Sequence, residues 1–260
     1  MLGKLMKYEW KSTWKLLVPM NLLIIVMTTF ACLTVRLDAF GSGNTGVAFS
    51  ALMIVMTYVA SMFVVMVGTA IFLIYRFYTS TYGDQGYLLH TLPLDKHYII
   101  IAKVLVSALW VLCSMMLMYF SFVFLVAAEG DLFEVFEDSV EAIIESAGNI
   151  ELTGFAVIMT LIAFVVSVFA RVLKVTACVS LGQLSSNHKV LMSFAFYAGV
   201  YFAQQIVNAV YYVLLEYINS KTHRWYFGKT WEFTLIAGLV YSVVFYFVTW
   251  YVMDQKLNLD

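Results

Sequence analysis

Six stretches of this chain stay apolar for twenty residues or more, near 16–35, 47–75, 99–127, 152–182, 190–214 and 231–252, and its polar residues collect between them. A bilayer core about 30 Å thick takes roughly 20 residues of helix, so each stretch predicts one spanning helix. The runs are continuous, whereas barrel strands would alternate over about ten residues. Only Pro19 and Pro93 interrupt the chain's helical potential. The expected fold is an all-α integral membrane protein of six transmembrane helices, a single domain over 1–260 with little chain left for anything soluble.

Residues 1–15 carry a different pattern. At 100° per residue Lys4, Lys7, Lys11 and Lys15 share one narrow face, with Leu2, Met6 and Trp10 turned away from it. This predicts an N-terminal amphipathic interfacial helix, its lysines toward anionic headgroups and Trp10 and Trp14 in the aromatic belt. It serves either as an anchor or as a lever on the first span. The second, third and fourth apolar stretches are longer than crossing requires, so tilt or projection absorbs the excess. Arg171 falls about 30 Å into the fourth, which places it at the inner interface. There it and Lys174 would snorkel to phosphates as topology anchors.

Composition agrees with a lipid setting. Hydrophobic residues make up 63% and charged residues 12%, with a mean hydropathy of +0.88, against roughly 45–50% and 25% in soluble domains. The net charge of −1 hides a polarity. With both termini in the cytoplasm, eleven of the fifteen basic residues lie inside, and the outer four are Arg36, Lys221, Arg224 and Lys229. Only five of the sixteen acidic residues lie inside, so the inner side is +6 and the outer −7. Retention of basic flanks in the cytoplasm therefore predicts an N-in, C-in topology, in the plasma membrane of a bacterial-type cell.

Cys32, Cys113 and Cys178 fall in three different spans, which excludes a disulfide framework or a CxxC metal site. Gly41-Ser42-Gly43-Asn44-Thr45-Gly46 lacks the lysine of a phosphate loop, and no HExxH or GxSxG motif occurs. No catalytic or metal-binding residue is expected, and no nucleic-acid partner. Polar residues inside spans are costly and face an interface or cavity. Asn21, Gln204, Gln205 and Asn208 are the clearest, and Ala195, Gly199 and Ala203 form a small-residue stripe on the same helix as the last three. Together they predict a substrate pathway or a dimer interface. The alternative for the stripe is packing within one subunit. Outside, residues 129–151 hold eight acids and no Lys or Arg. Glu134, Glu137, Asp138, Glu141 and Glu145 share one helical face, which either steers cationic ligands by its field or is simply solvated.

The longest cytoplasmic insert is the segment 76–98. Gly83, Asp84 and Gly86 read as a turn, Tyr87, Leu88, Leu89 and His90 as a short helical piece, and Thr91-Leu92-Pro93 as its end. A plain connection needs only a few residues, so this one suits docking on a cytosolic partner or resting on lipid.

Three motifs in this order, Lys7-Tyr8-Glu9-Trp10-Lys11, Gly86 to Pro93 followed by Lys103, and Ser180-Leu181-Gly182-Gln183-Leu184 before Lys189, resemble those of ABC-2 type transporter permeases. These are the six-span membrane subunits of type V ABC exporters, and the resemblance covers nearly the whole length. It implies that Gly83 to Pro93 is the coupling helix seated on an ATPase, with Gly182, Gln183 and Lys189 as a second contact. It also implies two copies of a separate ATPase subunit holding ATP and Mg, and a second permease copy or a sister. The outer side departs from the pattern, since the connection from Glu216 to Thr230 is too short for re-entrant helices. Cargo stays open among amphipathic peptides, hydrophobic drugs and lipid intermediates. The rival readings are a sensor or immunity protein that binds peptide or lipid without pumping, and an ATP-independent carrier or channel.

Overall fold

The computed structural model describes residues 2–37, 39, 44–83, 86, 95–128, 141, 154–185, 188–222 and 230–255. These residues form six long helices and no strand: α1 (Leu2–Arg36), α2 (Thr45–Tyr82), α3 (Lys96–Val126), α4 (Gly154–Gly182), α5 (Lys189–Thr222) and α6 (Thr230–Gln255). All six are long and apolar enough to cross a membrane. The helices begin close to the edges of the apolar stretches, but α1, α2 and α5 run past them. Nothing in Tyr75 to Tyr82 breaks a helix until Gly83, and a helix whose backbone is internally bonded continues into water until a turn residue stops it.

Residues 2–15 are not a separate element. Leu2 to Arg36 is one helix, in which Pro19 removes a single backbone bond without ending it. Lys4, Lys7, Lys11 and Lys15 are all exposed, as the pattern requires. Trp10 stacks on Trp110 of α3 with ring centroids 4.6 Å apart and stays exposed on its other side. Cys32, Cys113 and Cys178 are free thiols.

The contacts divide the chain into two compact units, one of Met1–Leu5, Ile74–Ala108 and Ala147–Asp260, the other of Met6–Leu73 and Leu109–Ser146. In the second unit α1 is patterned inside out. Its buried stripe of Glu9, Thr13, Leu17, Asn21, Ile24, Thr28 and Ala31 is mostly polar, whereas Leu22, Leu23, Ile25 and Phe30 are exposed. This is the arrangement lipid favours, because polar side chains find partners only toward protein. The Trp110 Nε1–H donates to Thr13 Oγ1 at 2.9 Å, and the Thr13 hydroxyl in turn bonds the Glu9 carbonyl at 3.0 Å. Deeper along the same helices, Ser121 Oγ lies 2.5 Å from Thr28 Oγ1 and 2.9 Å from the Tyr58 hydroxyl of α2. Thr28 gives its one proton to the Ile24 carbonyl at 2.7 Å. Ser121 must then donate to Thr28 and accept from Tyr58, which sets a directed chain from α2 through α3 to α1.

In the first unit α4 packs on α6 and α5. Its apolar core joins Ile99, Ile100 and Val104 of α3 to Leu173 and Ala177 of α4 and Phe245 and Met253 of α6. A Cβ at Gly238 would stand 3.0 Å from Val166 Cγ1, so glycine sets how closely α6 approaches α4.

Candidate functional site

The six polar and charged residues that matter most lie on α4, α5 and α6 around a cavity of about 220 Å³. They are Arg171, Lys174, Gln204, Asn208, Tyr212 and Tyr241. Arg171 and Lys174 both fall inside the spanning part of α4, Ile158–Gly182. Arg171 is exposed and Lys174 buried, and the contact of Gly238 with Val166 holds α6 close to α4 beside them.

Cations inside a span need protein or water around them. An Arg or Lys at the centre of a span costs about 2.5–3.5 kcal/mol on insertion scales and faces a bundle interior or an aqueous cavity. Lys174 is 8% exposed. Its ammonium donates to Gln204 Oε1 at 2.9 Å and stands 5.1 Å from the ring centroid of Tyr197 and 5.8 Å from that of Tyr201. These partners solvate the ammonium without cancelling its charge. Arg171 lines the same space, and no carboxylate is among the described lining residues. Along α6 the nearest acid is Glu232, just before Phe233 at the edge of the cavity. The stack of Phe233 on Tyr211, with centroids 3.7 Å apart, fastens α5 to α6 there.

Of the polar span residues read from the sequence, the structure brings Gln204 and Asn208 together in this cavity. Gln205 is exposed beside them, its amide donating to the Tyr201 hydroxyl at 2.8 Å. Asn21 belongs to the other unit, where its amide nitrogen bonds the Leu17 carbonyl at 2.9 Å and its Oδ1 is buried without a partner. Ala195, Gly199 and Ala203 are exposed, and nothing lies within 4 Å of a Cβ built on Gly199. Among the described residues the stripe thus packs on no other helix, and no residue in the span window of α5 is buried. Sequence reading named Arg171 and Lys174 as topology anchors and did not group them with Gln204 and Asn208, although the apolar residues on both sides of them were a usable signal.

The insert between α2 and α3 is described at its edges. Asp84, Tyr87, Leu88, Leu89, His90, Leu92 and Pro93 lie outside the described residues. At its entry the Gly86 N–H donates to the Gly83 carbonyl at 2.7 Å. Gly86 is buried so closely on Thr81 that a Cβ would overlap the Thr81 carbonyl, so this turn requires glycine. Both edges are tied to the helices that bear the cavity. Tyr82 donates to Ser180 Oγ of α4 at 2.6 Å, and the buried Lys103 ammonium bonds Ser80 Oγ. Lys96 pairs with Asp254 of α6 at 2.9 Å. His97 shares a 2.6 Å hydrogen bond with the Tyr246 hydroxyl and stacks on Trp250. In the connection from α4 to α5, Gly182 is buried, and a Cβ there would stand 2.7 Å from the Lys189 carbonyl oxygen. Gln183 and Lys189 are partly exposed beside it.

Glu141 is exposed and helical, while Glu134, Glu137, Asp138 and Glu145 lie outside the described residues. Among the described residues no cluster of His, Cys, Asp and Glu could hold a metal ion. Compared with protein-family models, with curated proteins and with solved structures, the chain matches none.

Proposed function

We propose that this chain is the noncatalytic permease subunit of an ABC exporter of the ABC-2 type. In this reading it lies N-in and C-in in a bacterial plasma membrane and moves an amphipathic or hydrophobic substrate outward. The observation that carries the reading is the cavity holding Arg171, Lys174, Gln204 and Asn208, because ionisable groups within spanning helices mark substrate pathways. Assigning Arg171 and Lys174 to the cavity still leaves nine basic residues on the inner side against four outside, and the exposed lysines of early α1 face the inner headgroups.

Energy enters through the insert. A separate ATPase dimer, holding ATP and Mg, closes beneath the segment Gly83 to Pro93. The hydrogen bond from Tyr82 to Ser180 and the ion pair from Lys96 to Asp254 deliver that displacement to α4 and α6. These are two of the three helices around the cavity, so movement of the insert changes access to it. The exposed stripe of Ala195, Gly199 and Ala203 on α5 is the face on which a second permease copy or a sister approaches closely.

The test is co-expression with an ABC ATPase encoded in the same genome, followed by co-purification and ATP turnover in nanodiscs. A Tyr87→Ala, Leu88→Ala, Leu92→Ala variant should fold yet lose association or coupling. A folded wild-type chain with no affinity for that ATPase would overturn the exporter reading in favour of a sensor or an ATP-independent carrier.

A further inference from the structure

The chemistry lining the cavity is one-sided. Arg171 offers up to five N–H donors and Lys174 three, of which Gln204 takes one. The Asn208 amide and the Tyr212 and Tyr241 hydroxyls add further donors. Among the described residues the lining has two cations and no anion, and the partners of Lys174 are a neutral amide and two aromatic rings. A cationic guest would bring a third positive charge beside these two, and a neutral guest would leave both charges uncompensated. The complement of such a lining is a group with several strong acceptor oxygens, negative charge and few donors. We propose that this cavity binds a phosphate group, held by Arg171 and Lys174, with the aromatic side chains beside it flanking the organic part of the ligand.

Size and surroundings narrow the ligand. A volume of about 220 Å³ equals roughly seven waters in the liquid, which holds a phosphate and a few carbons but not a folded peptide. Arg171 suits this group better than a second lysine would, because its planar fork presents parallel N–H bonds to two oxygens. The phosphate belongs either to a membrane amphiphile or to a soluble phosphate compound. The inference names the ligand class of the cavity on which the exporter reading rests, but it requires no ATPase.

The purified chain in lauryl maltoside is titrated with lauryl phosphate, and with lauryl trimethylammonium as the same chain under the opposite charge, reading affinity by thermophoresis. Lauryl phosphate should bind saturably and at least tenfold more tightly than the ammonium. Arg171→Gln and Lys174→Gln should each weaken it by about tenfold or more, in line with loss of a charged hydrogen bond, and Arg171→Lys should lose less than Arg171→Gln. Competition by inorganic phosphate at similar concentration assigns a soluble phosphate compound, and competition only at far higher concentration assigns an amphiphile. Both outcomes uphold the site. Equal affinity for phosphate and ammonium in the wild type overturns it, as do folded Gln variants with unchanged phosphate affinity. The head-group comparison needs no variant, so it decides even if the substitutions impair folding. Phosphate binding without ATPase association would sink only the exporter reading, and ATPase association without phosphate binding only this ligand.

Discussion

Replacing Ser121 with alanine should do more damage than the loss of one small hydroxyl suggests. Ser121 is the middle of the chain from Tyr58 to Thr28, so the substitution removes two interhelical hydrogen bonds at once. Such bonds in membrane proteins average about 0.6 kcal/mol each, which sets the direct loss near 1.2 kcal/mol. The Tyr58 hydroxyl is then orphaned in a side chain 1% exposed, at a further cost of about 1–3 kcal/mol. Thr28 escapes, because its own proton stays on the Ile24 carbonyl. The expected total is about 2–4 kcal/mol. Tyr58→Phe deletes only the first bond and should cost about 0.6 kcal/mol. Adding Tyr58→Phe to Ser121→Ala should therefore recover stability, since it removes the stranded hydroxyl. The check is a double-mutant cycle in mixed micelles, with unfolding by sodium dodecyl sulfate followed through tryptophan fluorescence. A double variant destabilised by the sum of the two single effects would refute the directed chain and leave only independent pairwise contacts.

Three other outcomes are open to the same assay. Gly182→Ala should destabilise strongly, because the added methyl meets the Lys189 carbonyl and Ser193, whereas Gly199→Ala, with open space around it, should be neutral in the isolated chain. Trp110→Phe should cost about 1–2 kcal/mol through the lost bond to Thr13 and a poorer stack on Trp10, with Thr13→Val adding little further. Asp254→Asn should shift stability by less than about 1 kcal/mol, and the shift should fade in high salt, because the Lys96 pair is about one-third exposed on both sides.

The helices were legible because lipid leaves few alternatives. Twenty or more continuous apolar residues admit a helix and little else, and the observed helices contain those stretches almost whole. Where sequence reading slipped, the cause was three-dimensional. Nothing between Lys15 and Leu16 marks a break or its absence, so the unity of α1 shows only in the structure. Arg171 and Lys174 read as anchors along one helix, and that they share a cavity with Gln204 and Asn208 shows only once α5 and α6 are packed on α4. Gln204 and Asn208 were found because amides stand out among Val, Phe and Tyr. The Ser, Thr and Tyr hydroxyls that join α1, α2 and α3 passed unnoticed, since such residues are common in spans and their partners lie up to 97 positions away.

The pairing of Lys174 with Gln204 also bears on how the chain is made. The two residues are 30 positions apart, so α4 emerges from the ribosome with two cations inside its apolar stretch before α5 brings the amide partner of Lys174. Until then the fourth span must wait beside the translocon or enter lipid uncompensated. Nascent chains cut just before Gln204 should insert α4 less completely than chains cut beyond Asn208, which would make α4 and α5 a single unit of membrane insertion.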